Sequence, residues 1–70
     1  MPERAVAALK DAVAQEPGSA RYHYHLGLAC AAAGDSQQAR QSLERALALQ
    51  PDFVGSADAR AVLGRLVAAQ

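Results

Sequence analysis

Apolar residues recur at spacings of three and four along almost the whole chain, and strict alternation never appears. Segment 3–16 places Ala5, Leu9, Ala12 and Val13 on one stripe, and segment 20–33 does the same with Tyr22, Leu26, Ala29, Cys30 and Ala33. Segment 36–49 follows with Ala39, Leu43, Ala46 and Leu47, and segment 57–69 with Leu63, Leu66 and Val67. Breaks in the pattern fall at Pro17-Gly18-Ser19, at Gly34-Asp35, and at Pro51-Asp52 running on to Gly55-Ser56. Each break combines a helix stop with a side chain able to cap the next helix: Ser19, Asp35, and Ser56 or Asp52. Asp35 with Gln38 three residues on has the spacing of a capping box. The pattern predicts an all-α chain of four helices joined by short turns.

The pattern also repeats. A shift of 34 residues lays Ala5 on Ala39, Leu9 on Leu43, Ala12 on Ala46, Val13 on Leu47 and Pro17 on Pro51, so the first helix is related to the third. A shift of 37 lays Gly18-Ser19-Ala20 on Gly55-Ser56-Ala57, Leu26-Gly27 on Leu63-Gly64 and Cys30 on Val67, so the second is related to the fourth. Periods of this length belong to stacked helical units, none of which can bury its apolar face alone.

Within that repeat, residues 20–53 read His23-x2-Leu26-Gly27-x2-Cys30, then Gly34-Asp35, Ala39-x3-Leu43-x2-Ala46 and Pro51. This resembles the tetratricopeptide repeat (TPR), a 34-residue helix–turn–helix unit with the pattern Trp-x2-Leu-Gly-x2-Tyr, Ala-x3-Phe, Ala and Pro. The small positions and the proline match, while His23, Cys30 and Leu43 stand at the three large aromatic positions. The resemblance implies an α-solenoid of antiparallel helical hairpins. Residues 3–17 correspond to the second helix of a preceding repeat, 20–53 to one full repeat, and 56–70 to a C-terminal capping helix with Asp58 and Arg65 on its less apolar side. The second junction is three residues longer than the usual one, so an altered docking angle is expected for the last helix.

The resemblance also implies a function. In TPR domains the first helix of each repeat lines a concave groove that holds an extended peptide or a partner helix. Here that groove would be formed by Arg21, Tyr24, His25 and Leu28, with Ala31 and Ala32 further along. On the last helix the matching positions are Asp58, Ala61, Val62 and Arg65. Tyr24 and Leu28 occupy places where a peptide-carboxylate clamp carries Lys and Asn, which disfavours that clamp and points to a hydrophobic or mixed peptide. The implied role is a protein–protein interaction scaffold, with Arg21, Tyr24, His25, Leu28, Val62 and Arg65 as the partner-binding set. A second role is open: a structural or oligomerisation segment of a longer array, self-associating through its first helix as a homodimer. That helix carries Val6 and Ala7 where the third carries Arg40 and Gln41, and an apolar surface of this kind needs a covering partner.

Composition narrows the remaining chemistry. The 70 residues carry seven basic and seven acidic side chains, and 51% are hydrophobic, half of those being alanine. With no cluster of Lys and Arg, a nucleic-acid surface is not expected. One cysteine excludes an internal disulfide, no apolar run reaches the ~20 residues of a membrane span, and Met1-Pro2-Glu3-Arg4 does not open a signal peptide. The expectation is a soluble, cytoplasmic protein with a protein or peptide partner and neither nucleic acid nor membrane. His23 and His25 point roughly 200° apart on a helix and cannot share an ion, while His23 and Cys30 lie about 10 Å apart along the axis. Neither pair has zinc-ligand spacing. Cys30 lies on the apolar stripe as a small hydrophobe, and the carboxylates Asp11, Glu16, Glu44 and Asp58 are dispersed. No catalytic, metal or cofactor site is expected, and the chain is read as non-enzymatic.

Overall fold

The computed structural model describes residues 1–68 and contains four α-helices: α1 (Pro2–Gln15), α2 (Ala20–Ala32), α3 (Ser36–Leu49) and α4 (Ser56–Ala68). These bounds lie within one residue of the predicted ones, except that residue 69 of the predicted fourth helix falls outside the described residues. Local chemistry sets the boundaries. Pro2 opens α1, where its missing N–H costs nothing. The Ser19 hydroxyl accepts from the Tyr22 amide at 3.2 Å, and the Asp35 carboxylate accepts from the Gln38 amide at 3.1 Å. Ser56 does not act as a cap, because it is itself the first residue of α4 and follows Gly55.

The α2–α3 turn is the tightest. The amide of Gly34 bonds to the Ala31 carbonyl at 3.1 Å and that of Asp35 to the Cys30 carbonyl at 2.9 Å. This double closure requires a left-handed residue at its centre, and Gly34 supplies it with φ +87°. Asp35 then caps α3 directly, so one helix ends and the next begins without a spare residue.

Consecutive helices pack on one another: α2 on α3 most extensively, α1 on α2, and α4 on α3. The α2–α3 pair is antiparallel and closes around Gly27, where an added Cβ would stand 2.6 Å from Leu43 Cγ and 3.2 Å from the Ala39 carbonyl oxygen. The Cα extents are 31 × 27 × 15 Å. The thinnest matches two layers of helices with axes about 8–10 Å apart, given a Cα radius of ~2.3 Å on either side.

Two apolar clusters fill the interior. Ala20, Leu43, Ala46, Phe53, Ala59 and Val62 form one, flanked by Tyr24, Leu28, Leu47, Leu49, Leu63 and Leu66. Leu26, Cys30 and Ala39 form the other, covered by Val6, Leu9 and Val13 of α1. The α1 register differs from the prediction. Ala5 is exposed, while Val6, expected on an open surface, turns toward α2. The rest of the predicted stripe keeps its place, since Leu9 and Val13 pack on the second cluster and Ala12 is half-buried, although no residue of α1 is fully buried. Val67 departs in the same way: predicted on the α4 stripe, it is 56% exposed. Of the alanines on the predicted stripes, Ala39 and Ala46 are fully buried, Ala12 and Ala29 half-buried, and Ala5 and Ala33 exposed.

Candidate functional site

The face built by α2 and α4 is held together by Tyr24. Its hydroxyl donates to Asp58 Oδ2 at 2.6 Å, joining the two helices across 34 residues of sequence. Its ring meets Phe53 edge-on, with centroids 5.3 Å apart, and lies 5.2 Å from the His25 ring. Gly55, at φ +105°, lets the junction pass beneath this ring: a Cβ there would stand 3.0 Å from Tyr24 Cε2. The hydrogen bond to Asp58 holds the Tyr24 phenol above its ordinary value of 10.0, with burial and the Asp58 charge adding to it. The neutral phenol is therefore the form that this contact favours.

The other predicted groove residues occupy different depths. Arg21, His25 and Arg65 are exposed, Arg21 with its guanidinium carbon 5.7 Å from the Tyr22 ring centroid. Leu28 is half-buried and packs on the core. Val62 is 8% exposed, so it supports the face from beneath. Of the flanking positions, Ala31 is half-buried, while Ala32, Asp58 and Ala61 are exposed. Among the described residues no enclosed pocket forms, and the face is open.

Residues that suggested metal or thiol chemistry are engaged otherwise. His23 is buried, and its Nε2 lies 2.8 Å from the Pro17 carbonyl oxygen, which can only accept; the ring must donate from Nε2. Cys30 is buried and unpaired, and desolvation, reinforced by the Asp35 charge against a smaller opposing effect of Lys10, raises its thiol above the usual 9.0. A raised thiol is a poor nucleophile. Among the described residues no group of three His, Cys, Asp or Glu side chains is placed to hold a metal.

The second junction repeats this proline contact. Arg60 stands 37 residues after His23, and its Nη2 donates to the Pro51 carbonyl oxygen at 2.7 Å. Pro51 itself stands 34 residues after Pro17. The same tie, from the fourth or fifth residue of a helix back to the proline that ends the preceding one, thus recurs at both junctions. A tetratricopeptide repeat family model matches residues 2–53. The chain belongs to the tetratricopeptide repeat family. TPR units generally mediate protein–protein interaction and are generally non-catalytic. No curated protein and no solved structure is matched by the chain.

The family match spans α1, α2, α3 and the junction as far as Phe53, and α4 lies beyond it. Sequence reasoning missed Phe53, which is 6% exposed within the junction beyond the TPR proline. A large apolar residue directly after Pro-Asp was its only signal. A contact of Tyr24 with the last helix is one of the readings the sequence leaves open, but its partner Asp58 was not identified, because the 37-residue shift pairs Tyr24 with Ala61 instead.

Proposed function

We propose that this TPR chain is an interaction scaffold whose α2–α4 face receives an extended peptide or a helix of a partner protein. Arg21, His25 and Arg65 would meet the partner's polar groups, and Tyr24 and Leu28 its apolar side chains, with Val62 beneath them. The observation that carries this reading is the fixed Tyr24 ring, braced by Phe53 and tethered to Asp58 before any partner arrives. A pre-positioned aromatic loses little freedom on binding, and Tyr and Arg are the residues from which binding energy most often comes. The reading includes no catalysis, cofactor or nucleic acid, and it places the protein in the cytoplasm. Among the described residues no helix is long and apolar enough to cross a membrane.

The test is a titration of isotope-labelled protein with a panel of hydrophobic and mixed-charge peptides. Amide shifts should concentrate at Arg21, Tyr24, Leu28 and Arg65, and Leu28→Glu should abolish them. Shifts confined to α1 and α3, with that face silent, would refute the groove. A second reading, self-association through α1, is favoured by one observation: no residue of that helix is buried.

A further inference from the structure

The interface between α2 and α3 serves as a template for the two ends of the molecule. The buried residues of α2 are Ala20, His23, Leu26, Gly27 and Cys30, and those of α3 are Ala39, Ser42, Leu43 and Ala46. Shifting the first set by 37 gives Ala57, Arg60, Leu63, Gly64 and Val67 on α4, of which only Leu63 is half-buried, packed on the core, and the others are exposed. Around Gly64 nothing lies within 4 Å of an added Cβ, whereas the same probe at Gly27 runs into Leu43. Shifting the second set back by 34 gives Ala5, Ala8, Leu9 and Ala12 on α1, of which Ala5 and Ala8 are exposed and Leu9 and Ala12 half-covered. One end of the molecule therefore carries the α2-type half of the repeat interface, and the other end carries the α3-type half. Both halves lack a partner helix within the described residues.

We propose that copies of this chain stack head to tail, with Ala57, Gly64 and Val67 of one copy seated on Ala5, Ala8 and Leu9 of the next. The occupant follows from the interface already formed inside the molecule: Ala57 and Gly64 repeat Ala20 and Gly27, and Ala5, Leu9 and Ala12 repeat Ala39, Leu43 and Ala46. Arg60, Val67 and Ala8 are the departures, and Leu9 is partly covered by its packing on the second cluster. Small residues at the crossing permit the close approach, with Leu9 lying over Gly64 as Leu43 lies over Gly27. Each junction between copies completes one TPR hairpin from two chains. The two faces differ, so the contact is heterologous and leaves a free face at each end of every assembly. This proposal stands independently of peptide binding on the α2–α4 face.

The experiment is sedimentation equilibrium of the 70-residue chain from micromolar to millimolar concentration, with Ala5→Glu and Val67→Glu as single-end variants. Wild type should show a weight-average mass that climbs with concentration without levelling at the dimer. Each variant alone should stay monomeric, and a one-to-one mixture should reach twice the monomer mass, because one wild-type end of each kind remains. Far-UV circular dichroism confirms helix content, and Ala8→Glu with Ala57→Glu provides a second pair should either first variant fail to fold. A wild-type monomer throughout would overturn the proposal and leave the two faces to helices of another protein. So would a Val67→Glu chain that still dimerises while Ala5→Glu does not, the signature of symmetric α1–α1 pairing. A mixture that stays monomeric would overturn it as well.

Discussion

Tyr24 shows how much one side chain contributes when it joins two elements. Its hydroxyl has a single named partner, Asp58, and its ring rests on Phe53. Tyr24→Phe keeps the ring contacts and removes the hydrogen bond, so thermal unfolding should show a loss of about 0.5–1 kcal/mol. The pH dependence follows from the raised phenol. A folded-state pKa above the unfolded 10.0 means that the stabilisation is complete below 10.0 and is lost as pH rises through the folded value. Denaturant titrations near neutrality and in strong alkali should therefore show the wild-type advantage over Tyr24→Phe disappearing only in alkali. Cys30 supplies a second residue-scale prediction. Buried and held in its thiol form, it should resist alkylation in the native protein and react at a rate that follows the opening of the α1–α2 contact. Fast native-state labelling would show that the thiol is not enclosed. The burial of Cys30 could be read from its stripe, but the depth of Tyr24 could not, because its bracing partners come from the turn and from the next helix.

At the scale of elements, two glycines at matched positions make opposite predictions. Gly27 lies against Leu43, and Gly64 has open space. Gly27→Ala should overpack the α2–α3 crossing and cost about 1–3 kcal/mol. Gly64→Ala, in the interior of an exposed helix, should instead stabilise a dilute monomer by about 0.5–1 kcal/mol through helix propensity. Chemical denaturation of both variants checks the pair, and equal effects would show that the two positions are not environmentally distinct. The helix bounds were readable in advance because capping, glycine and proline chemistry act within a few residues. The register of α1 was not. Leu9, Ala12 and Val13 of the predicted stripe are half-buried, but Ala5 on the same stripe is open and Val6, off it, packs toward α2. Sequence periodicity encodes both faces and cannot say which one is occupied.

For the whole molecule, the limiting quantity is core size. A chain of this length rarely gains more than about 3–5 kcal/mol from one core, and its largest fully enclosed side chain is Leu43. Leu43→Ala should cost about 2–5 kcal/mol, enough to abolish the cooperative thermal transition monitored by circular dichroism. Retention of a sharp transition would mean that the two apolar clusters support each other less than their shared contact through Leu66 implies. The helical-repeat class was legible in the sequence because it depends on a spacing. Exposure along the α2–α4 face was less legible: Arg21, His25 and Arg65 are exposed, whereas Val62 lies in the core cluster with Phe53, a junction residue that no periodicity describes.

That junction has a consequence for how such a chain can change over generations. Both connections are fastened by the same device, a side chain reaching back to a proline carbonyl, yet one connection is three residues longer than the other. The shorter uses an imidazole and the longer a guanidinium, whose greater reach absorbs the added length. Spacer length and side-chain length can therefore drift together, each compensating the other, while the stacking of helices stays the same. Transplanting Arg60 without its longer spacer, or the longer spacer without its arginine, should be worse tolerated than moving the two together.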